Sequence, residues 1–364
     1  MASALTELLP DTKNEAVEAP KMKYTRLGKS GLKISRIILG AMSYGDKKAV
    51  EIVPWVIEEE KALPLLEHAF KRGINTWDTA DFYGQGSSER IIGKALKKYA
   101  IPREQVVILS KVFFGIDPAV YGSGKLDFQL ATVNDGHMVN RVGLSRKHIL
   151  DAVDASVERL GTYIDVLQIH RLDHDVPPEE IMKALNDVVE SGKVRYLGAS
   201  SMAAWEFQML NNLAATHNYH PFISMQNYHN LLYREEEREM HPYCSHSGIG
   251  LIPWSPLAQG VLARPWAAKD STLRAQHNEY LALIISERDQ VVVDRLQQVA
   301  ARLGVSMATV ATAWSLSKGV NPIVGLSSKQ RIDEAVEMVH FELGDGDVRA
   351  LEEVYVPKAQ APVF

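Results

Sequence analysis

The sequence is poor in cysteine, in long apolar runs and in net charge, and each shortage excludes a class of protein. Cys244 is the only cysteine among 364 residues, so no intramolecular disulfide can form and a thiolate metal site is not expected. No stretch approaches the roughly 18 apolar residues of a membrane span. The formal net charge of -5 provides no overall excess of cations for nucleic acid. We therefore expect a cytoplasmic protein with no nucleic-acid, membrane or metal partner.

Length and composition predict one large domain behind a short leader. Residues 1-22 are polar and acidic and include Pro10 and Pro20. They lack the basic start and apolar core of a secretory signal, so we expect a flexible N-terminal tail. The overall hydrophobic content of 46% is high enough for a substantial core. We expect residues 23-364 to form a single domain.

Strand-like and helix-like segments alternate along residues 23-364. Lys23 to Arg36 predicts a small hairpin around a Gly/Ser turn. Eight strand-like segments then start near positions 37, 74, 106, 165, 194, 223, 250 and 322, and each precedes a segment of helical period. This α/β pattern predicts a closed (β/α)8 TIM barrel, with an N-terminal β-hairpin and extra C-terminal helices, rather than an open sheet.

Chemically capable residues lie at or just after the C-terminal ends of these strands, where barrels of this kind carry their active sites. They are Asp78, Tyr83, Lys111, His170, Ser200, Ser201, Gln226, Asn227, Trp254 and Ser255. Asp, Lys and His are rare in protein cores unless they are paired. The sequence therefore predicts one polar site at this end of the barrel.

Asp78, Tyr83, Lys111 and His170 together suit the reduction of a carbonyl group. A phenol is a poor acid at pH 7, but a neighbouring ammonium group favours its ionised form, and a carboxylate can hold that ammonium group in place. An imidazole could orient the carbonyl oxygen. Proton delivery to oxygen accompanies hydride delivery to carbon, which requires a nicotinamide. A structural ion pair and an ordinary core histidine remain the alternatives.

The stretch Gly73 to Gly84, with Ser110-Lys111 and Gln168-Ile-His170, resembles the aldo-keto reductase superfamily. The resemblance runs from about Tyr24 to Val339. It implies a catalytic tetrad of Asp78, Tyr83, Lys111 and His170, in which Tyr83 is the general acid. It also implies NADP(H) bound without a Rossmann motif, and no Gly-x-Gly-x-x-Gly follows the first strand.

The segments Asn227 to Met240 and Ile252 to Gly260 are most similar to fungal aryl-alcohol dehydrogenase-like and related polyketide-pathway reductases. This similarity implies a reductase of secondary metabolism that acts on small aromatic or bulky aldehydes and ketones. The superfamily also contains nucleotide-sensing regulatory subunits, the potassium-channel β-subunits, in which catalysis is slight. A regulatory subunit of that kind remains the alternative function.

The resemblance implies cofactor contacts from the nicotinamide to the adenosine end. They are Ala41, Met42, Asp78, Ser200, Ser201, Gln226, Trp254, Ser255, Pro256, Leu257, Ala258, Gln259, Gly260, Arg274, Gly325, Ser327, Lys329, Arg331 and Glu334. Trp254 would stack on the nicotinamide and Gln226 would pair with its carboxamide. Arg274, Lys329 and Arg331 are candidates for the 2′-phosphate that distinguishes NADP from NAD. Family members often carry Asn after the glutamate, where this chain has Ala335.

Four aromatic residues beyond the strand ends, Tyr44, Trp55, Phe113 and Phe114, could line an apolar substrate pocket or simply pack the loops. The long connection from Phe113 to Gly143 is hypothesised to be a substrate lid. His241, Cys244 and His246 are interpreted as surface residues rather than metal ligands.

Overall fold

The computed structural model describes residues 22–48, 53–117, 130–278 and 284–360. The predicted tail therefore lies almost entirely outside the described residues. The strands are β1 (Tyr24–Arg26), β2 (Lys33–Ser35), β3 (Ile38–Gly40), β4 (Thr76–Asp78), β5 (Val107–Val112), β6 (Ile164–Ile169), β7 (Val194–Ser200), β8 (Phe222–Gln226), β9 (Gly250–Leu251) and β10 (Ile323–Gly325). The α-helices are α1 (Glu59–Lys71), α2 (Ser87–Lys98), α3 (Arg146–Leu160), α4 (Pro178–Glu190), α5 (Ala204–His217), α6 (Met240–Ser247), α7 (Leu273–His277), α8 (Gln290–Leu303), α9 (Met307–Ser317), α10 (Lys329–Met338) and α11 (Asp345–Glu352).

Strands β3 to β10 form one parallel sheet in the order β10-β3-β4-β5-β6-β7-β8-β9. Its two ends meet, because Asn321 N donates to Leu251 O at 2.9 Å and Ile323 N donates to Pro253 O at 2.9 Å. The sheet is therefore a closed barrel with helices between its strands. The predicted (β/α)8 fold is confirmed, as is the antiparallel hairpin of β1 and β2.

The period-two alternation of each strand divides its side chains between the barrel interior and the helix layer. On β5, Val107 and Leu109 pack in the interior cluster. Ile108 and Val112 pack against the helices. Lys111 alternates in phase with Val107 and Leu109, so its side chain faces the interior, and it lies near the C-terminal end of the strand. The interior therefore changes from apolar near the strand starts to polar near the strand ends.

The hairpin covers the N-terminal end of the barrel. Leu27 and Ile34 are fully buried in the same cluster as the interior strand residues. Gly28 has a φ of +58°, and a Cβ there would collide with the backbone of Gly248. The adjacent Lys29 N donates to Gly248 O at 2.7 Å. This close backbone contact holds the hairpin against the barrel.

A second apolar cluster lies where α8, α9 and α11 pack against the segment after β9, and includes Leu262, Trp266 and Trp314. Within the described parts of the chain, no single helix has the length and apolarity to cross a membrane. One pair bent by 101°, Glu287–Leu303 and Met307–Ser317, meets that requirement only when taken together.

One predicted helix, Glu235 to Ser247, is divided in the structure. Residues Glu235–Glu237 form a 3-10 turn, and α6 starts only at Met240. The break occurs where Glu237 accepts hydrogen bonds from His229 Nε2 at 2.8 Å and Arg234 Nη2 at 2.8 Å. These bonds fix the Glu237 side chain beside the barrel.

Candidate active site

Four side chains predicted to work together converge at the C-terminal end of the barrel. Asp78 ends β4, Lys111 lies near the end of β5 and His170 follows β6. Lys111 Nζ donates to Asp78 Oδ2 at 2.7 Å, Thr79 O at 2.8 Å and Tyr83 Oη at 3.2 Å. The rings of Tyr83 and His170 meet edge to face with centroids 5.8 Å apart. The structure thus joins residues that are up to 92 positions apart in the sequence.

A tight turn between β4 and α2 positions Tyr83. Tyr83 N donates to Ala80 O at 3.3 Å, and Ser88 N donates to Tyr83 O at 3.2 Å. Gly84 has a φ of +57°, and a Cβ at this position would collide with Ser87 Oγ. Glycine is therefore required immediately after the tyrosine.

Burial and charge determine the protonation of this group. Burial raises the pKa of Tyr83 and outweighs the lowering by Lys111, while Asp78 raises it further. Burial lowers the pKa of Lys111, but Asp78 and Tyr83 more than offset this effect, so the net shift is upward. Burial, Lys111 and Arg171 depress the pKa of His170 well below its usual value. Near neutral pH the site holds a protonated phenol, an ammonium ion and a neutral imidazole.

The expectation that Lys111 makes Tyr83 a stronger acid than an ordinary phenol is wrong, because the net shift of the Tyr83 pKa is upward. Lys111 does lower the pKa of Tyr83, but burial has the larger effect. The phenol therefore remains a protonated donor rather than becoming a phenolate.

Sequence reasoning missed Gln168, which lies between Asp78 and Gln226 in the barrel interior. Gln168 Nε2 donates to Asp78 Oδ1 at 3.1 Å, and Gln226 Nε2 donates to the same oxygen at 2.8 Å. Asp78 is thus held by Lys111 on one oxygen and by two amides on the other. The period-two alternation of a strand could have indicated Gln168. It precedes His170 by two positions, so both side chains face the same side of the strand.

The residues implied for the nicotinamide end lie together at and just beyond the C-terminal ends of β7 and β8. Ser200 Oγ donates to Gln226 O at 2.8 Å, and Trp254 Nε1 donates to Ser201 Oγ at 3.2 Å. The Trp254 ring packs on Tyr228 with centroids 4.5 Å apart.

Two implied contacts follow β3. Ala41 is buried and its N–H donates to Asp78 O at 2.8 Å. Met42 next to it is 44% exposed. The backbone at Ala41 therefore touches the strand that carries Asp78, and the Met42 side chain faces outward from the core.

The loop implied for the diphosphate has an unusual backbone. Ser255, Ala258, Gln259 and Gly260 all have positive φ values, of 54°, 44°, 57° and 107°. Asn230 Nδ2 donates to Ser255 O at 3.0 Å and anchors the loop start. Left-handed residues next to right-handed ones turn backbone N–H groups into concavities that suit anions. Pro256 and Leu257 complete the loop, and Gln259 Oε1 accepts a hydrogen bond from Asn278.

The residues implied for the adenosine end surround the start of α10. Arg331 Nη1 donates to Ser327 Oγ at 2.7 Å, and Glu334 Oε1 accepts from Gln330 at 2.9 Å. Gly325 and Lys329 are exposed beside them.

Arg264 is a second residue that the sequence did not indicate, and it brings another cation to this end. Burial and the charge of Arg331 lower the pKa of Arg264. Its Nη1 lies 3.4 Å from Thr272 Oγ1. Since two neighbouring guanidinium groups repel each other, an anion between Arg264 and Arg331 would be stabilising. No sequence motif marked this loop residue as close to α10.

Arg274 lies in a different environment. Burial lowers the pKa of Arg274, and the group whose charge acts on it is Tyr83. Its Nε is buried without a hydrogen-bond partner within the described residues. The Arg274 side chain thus lies within electrostatic reach of Tyr83, and the Arg264 side chain lies within reach of Arg331.

The four residues predicted to line a substrate pocket divide into two pairs. Phe113 and Phe114 are 5.2 Å apart, and Phe114 meets His170 edge to face at 4.9 Å. Tyr44 is buried in the main core and its hydroxyl donates to Leu326 O at 2.9 Å. Trp55 is half-buried, and its Nε1 has no hydrogen-bond partner in the described ranges.

Phe82 was not predicted but packs with its ring centroid 5.3 Å from that of Phe114, the ring that contacts His170. Much of the hypothesised lid, residues 118–129 with Tyr121 and Phe128, lies outside the described residues.

The interpretation of Cys244 as a surface residue is wrong, because it is fully buried and burial raises the pKa of its thiol to about 12. Among the residues that the structure describes, no cluster of three or more His, Cys, Asp or Glu side chains could hold a metal ion.

Comparison with known proteins agrees with this geometry. The model of the aldo/keto reductase family matches residues 36–356. The versiconal hemiacetal acetate reductase of Aspergillus parasiticus is 60% identical over 348 residues, or 94% of this chain and 99% of the relative. A Schizosaccharomyces pombe protein that carries the name of an aryl-alcohol dehydrogenase is 52% identical over 338 residues, or 92% of this chain and 96% of the relative. An aldo-keto reductase of Alternaria alternata is 48% identical, with 97% of this chain and 96% of the relative covered. The chain belongs to the aldo/keto reductase family, whose members reduce carbonyl groups with a nicotinamide cofactor.

Proposed function

We propose that this protein is an NADPH-dependent reductase of aromatic or bulky aldehydes and ketones, with Tyr83 as the general acid. The observation that carries the proposal is the position of Lys111 Nζ, which bridges Asp78 and Tyr83 beside a neutral His170. The family supports carbonyl reduction, and the finer assignment depends on this group of side chains.

In this mechanism each residue has a distinct task. A bound reduced nicotinamide supplies a hydride to the carbonyl carbon. Tyr83 donates its proton to the carbonyl oxygen as that oxygen gains charge, which yields the alcohol, and the phenolate then regains a proton from water. Lys111 stabilises the phenolate, and Asp78 holds Lys111 in place. His170 is neutral, so it orients the carbonyl oxygen by hydrogen bonding without adding a positive charge.

The residues present fit a nicotinamide dinucleotide with a 2′-phosphate. Trp254 provides a flat ring and Gln226 an amide at the end nearest Asp78. Arg264 and Arg331 are two like charges held near each other at the other end. A 2′-phosphate is the part of NADPH that NADH lacks, and it would relieve the repulsion between them. Arg274, whose buried Nε has no hydrogen-bond partner among the described residues, is suited to a phosphate nearer Tyr83.

The aromatic wall beside His170 supports an apolar, aromatic substrate. Phe82, Phe113 and Phe114 form that wall, and aromatic rings favour edge-to-face and offset contacts with other rings. The names of two relatives refer to a hemiacetal acetate reductase and an aryl-alcohol dehydrogenase. Both names are compatible with a bulky or aromatic carbonyl compound as the substrate of this chain.

The change Tyr83→Phe tests the acid. We expect turnover of an aromatic aldehyde, followed by loss of NADPH absorbance, to fall by roughly 10²- to 10⁴-fold because only the proton donor is removed. NADPH affinity should stay near the wild-type value. Tyr24→Phe is the matched control, since the Tyr24 hydroxyl donates to Gly73 O at the opposite end of the barrel. Unchanged turnover in Tyr83→Phe would refute the assignment.

The changes Arg264→Ala and Arg331→Ala test the cofactor preference. Each should weaken NADPH by roughly 10-fold, the effect of about 1.4 kcal/mol, and leave NADH nearly unaffected. Arg195→Ala, at the start of β7, removes an exposed arginine far from the strand C-termini and serves as the control. Equal weakening of both cofactors would contradict the 2′-phosphate role. A regulatory subunit would instead bind NADPH without turnover in the wild type.

A further inference from the structure

Gln168 on β6 is a fully buried polar side chain of the barrel interior. Its Nε2 donates to Asp78 Oδ1 at 3.1 Å, and its Oε1 accepts from Gln226 Nε2 at 2.9 Å. Gln226 Nε2 also donates to Asp78 Oδ1 at 2.8 Å. The three side chains form a closed triangle of hydrogen bonds.

This triangle determines which way each amide faces. The Asp78 carboxylate, paired with the Lys111 ammonium, can only accept hydrogen bonds, so both amides must turn their nitrogen atoms towards it. Gln226 then uses one N–H for Asp78 and the other for Gln168. Its Oε1 is the only polar side-chain atom left over, and it makes no hydrogen bond within the described residues.

The neighbouring strand, β7, leaves space for the Gln168 side chain but little room for that side chain to move. Gly198 is the register partner of Gln168, and a Cβ on Gly198 would lie 3.0 Å from Gln168 Cγ and 2.5 Å from Ser224 Oγ. Gly198 therefore lets the Gln168 side chain cross the interior. Without Gln168, the single hydrogen bond from Gln226 Nε2 to Asp78 Oδ1 would be the only side-chain contact among the described residues that holds the Gln226 amide in this orientation.

We propose that Gln168 is a positioning residue: it fixes the Gln226 amide with its oxygen towards the cleft, where it accepts a hydrogen bond from the amino group of the nicotinamide carboxamide. This inference rests on the proposed function and deepens it. The same side chain also donates to Asp78. Gln168 thus connects Gln226, which would hold the nicotinamide carboxamide, with Asp78, the carboxylate that holds Lys111 beside the proton donor Tyr83.

The variant Gln168→Leu removes both hydrogen bonds of the side chain at similar volume. We expect calorimetry to show NADPH binding weakened by roughly 2- to 10-fold, the effect of one lost hydrogen bond. Affinity for adenosine 2′,5′-bisphosphate, which lacks the nicotinamide, should be unchanged. Loss of a supporting residue of this kind should also lower kcat by roughly 10- to 100-fold. Ser224→Ala is the control, since Ser224 Oγ lies in the same layer and is buried without a hydrogen bond in the described residues.

The variant Gln168→Glu separates positioning from packing. The new carboxyl group faces Asp78, so its pKa is raised by like charge. When protonated it can donate to Asp78 and still accept from Gln226, as the glutamine does. NADPH affinity and kcat should therefore approach wild-type values at low pH and fall as the pH rises, which a purely structural role would not produce. If Gln168→Leu does not fold, Gln168→Met replaces it.

Equal weakening of NADPH and of the adenosine fragment, or a Gln168→Glu variant with no added pH dependence, would overturn the inference. Neither result would affect the proposed function, because that is tested by wild-type turnover and by Tyr83→Phe. Selective weakening of NADPH with recovery of the Glu variant at low pH would establish the positioning role.

Discussion

Two ion pairs at opposite ends of this barrel, one fully and one largely buried, have similar chemistry and different surroundings. At the strand starts, Arg103 Nη2 donates to Asp165 Oδ2 at 2.6 Å and to Tyr163 O at 2.8 Å. Its remaining donors reach Thr162 Oγ1 and Val106 O. At the strand ends, Lys111 Nζ donates to Asp78, to Thr79 O and to Tyr83. Every side-chain nitrogen of both cations donates a hydrogen bond, but only Lys111 donates to a phenol, whose own proton can be transferred.

The difference shows how one fold separates stability from chemistry. The partners of Arg103 are backbone carbonyls, a hydroxyl and a carboxylate that also accepts from Ile108 N at 2.7 Å, and these contacts hold β5 and β6 together. The third partner of Lys111 is a phenol next to His170. Arg103 therefore has only structural partners, whereas Lys111 also holds a phenol, which in the proposed mechanism gives up its proton to the substrate.

The largest effect should follow removal of the cation at the reactive end. In Lys111→Met, turnover should fall by roughly 10³-fold or more, because Tyr83 loses the charge that stabilises its phenolate. Stability should also fall, since Asp78 is left buried without its cation. Single-turnover kinetics measure the first effect and thermal melting the second.

The double variant Lys111→Met with Asp78→Asn sharpens this test. It removes the unpaired charge, so much of the lost stability should return while turnover remains low. Recovery of turnover together with stability would show that the pair at this end is also only structural.

The change Arg103→Met should lower stability but leave turnover nearly unchanged. Breaking a largely buried pair should lower the free energy of unfolding by about 3 kcal/mol, because Asp165 keeps a buried charge. The kcat of the folded enzyme should stay within a factor of about two of wild type, since Arg103 is at the far end of the barrel. Denaturant titration and steady-state kinetics measure the two quantities. A kcat reduced as strongly as in Lys111→Met would remove the distinction between the two ends.

The smallest effect should appear in the pH dependence of the wild-type enzyme. The acid must be protonated for reduction, and burial raises the pKa of Tyr83 above its ordinary 10.0. Reduction should therefore be level from below neutral pH to about 10 and decline above it. His170 adds no step near 6.5, because burial holds its pKa well below that value. A decline of kcat/KM centred near pH 7 would indicate that another group supplies the proton.

Much of the fold was predictable because strand parity and the βα alternation are visible in the residues themselves. The inward positions of Asp78 and Lys111 follow from period two alone. The net pKa of Tyr83 was not predictable, since burial and a neighbouring cation act in opposite directions and only coordinates show which is larger. Arg264 was missed because its proximity to Arg331 depends on the path of a loop rather than on any repeat. The same holds for Gln168, whose parity was visible but whose contact with Gln226 was not.

The hairpin of β1 and β2 limits the direction from which ligands can reach the site. With Leu27 and Ile34 buried at the far end of the barrel, the proposed dinucleotide and carbonyl compound would both approach from the side of the strand C-termini. The partner that lies deeper has to arrive before the other and depart after it. Gln226, whose amide would meet the nicotinamide carboxamide, is the last residue of β8. The phenylalanine wall belongs to the loops that follow β4 and β5, beyond the strand ends. We therefore expect a compulsory order in which the dinucleotide enters first and leaves last.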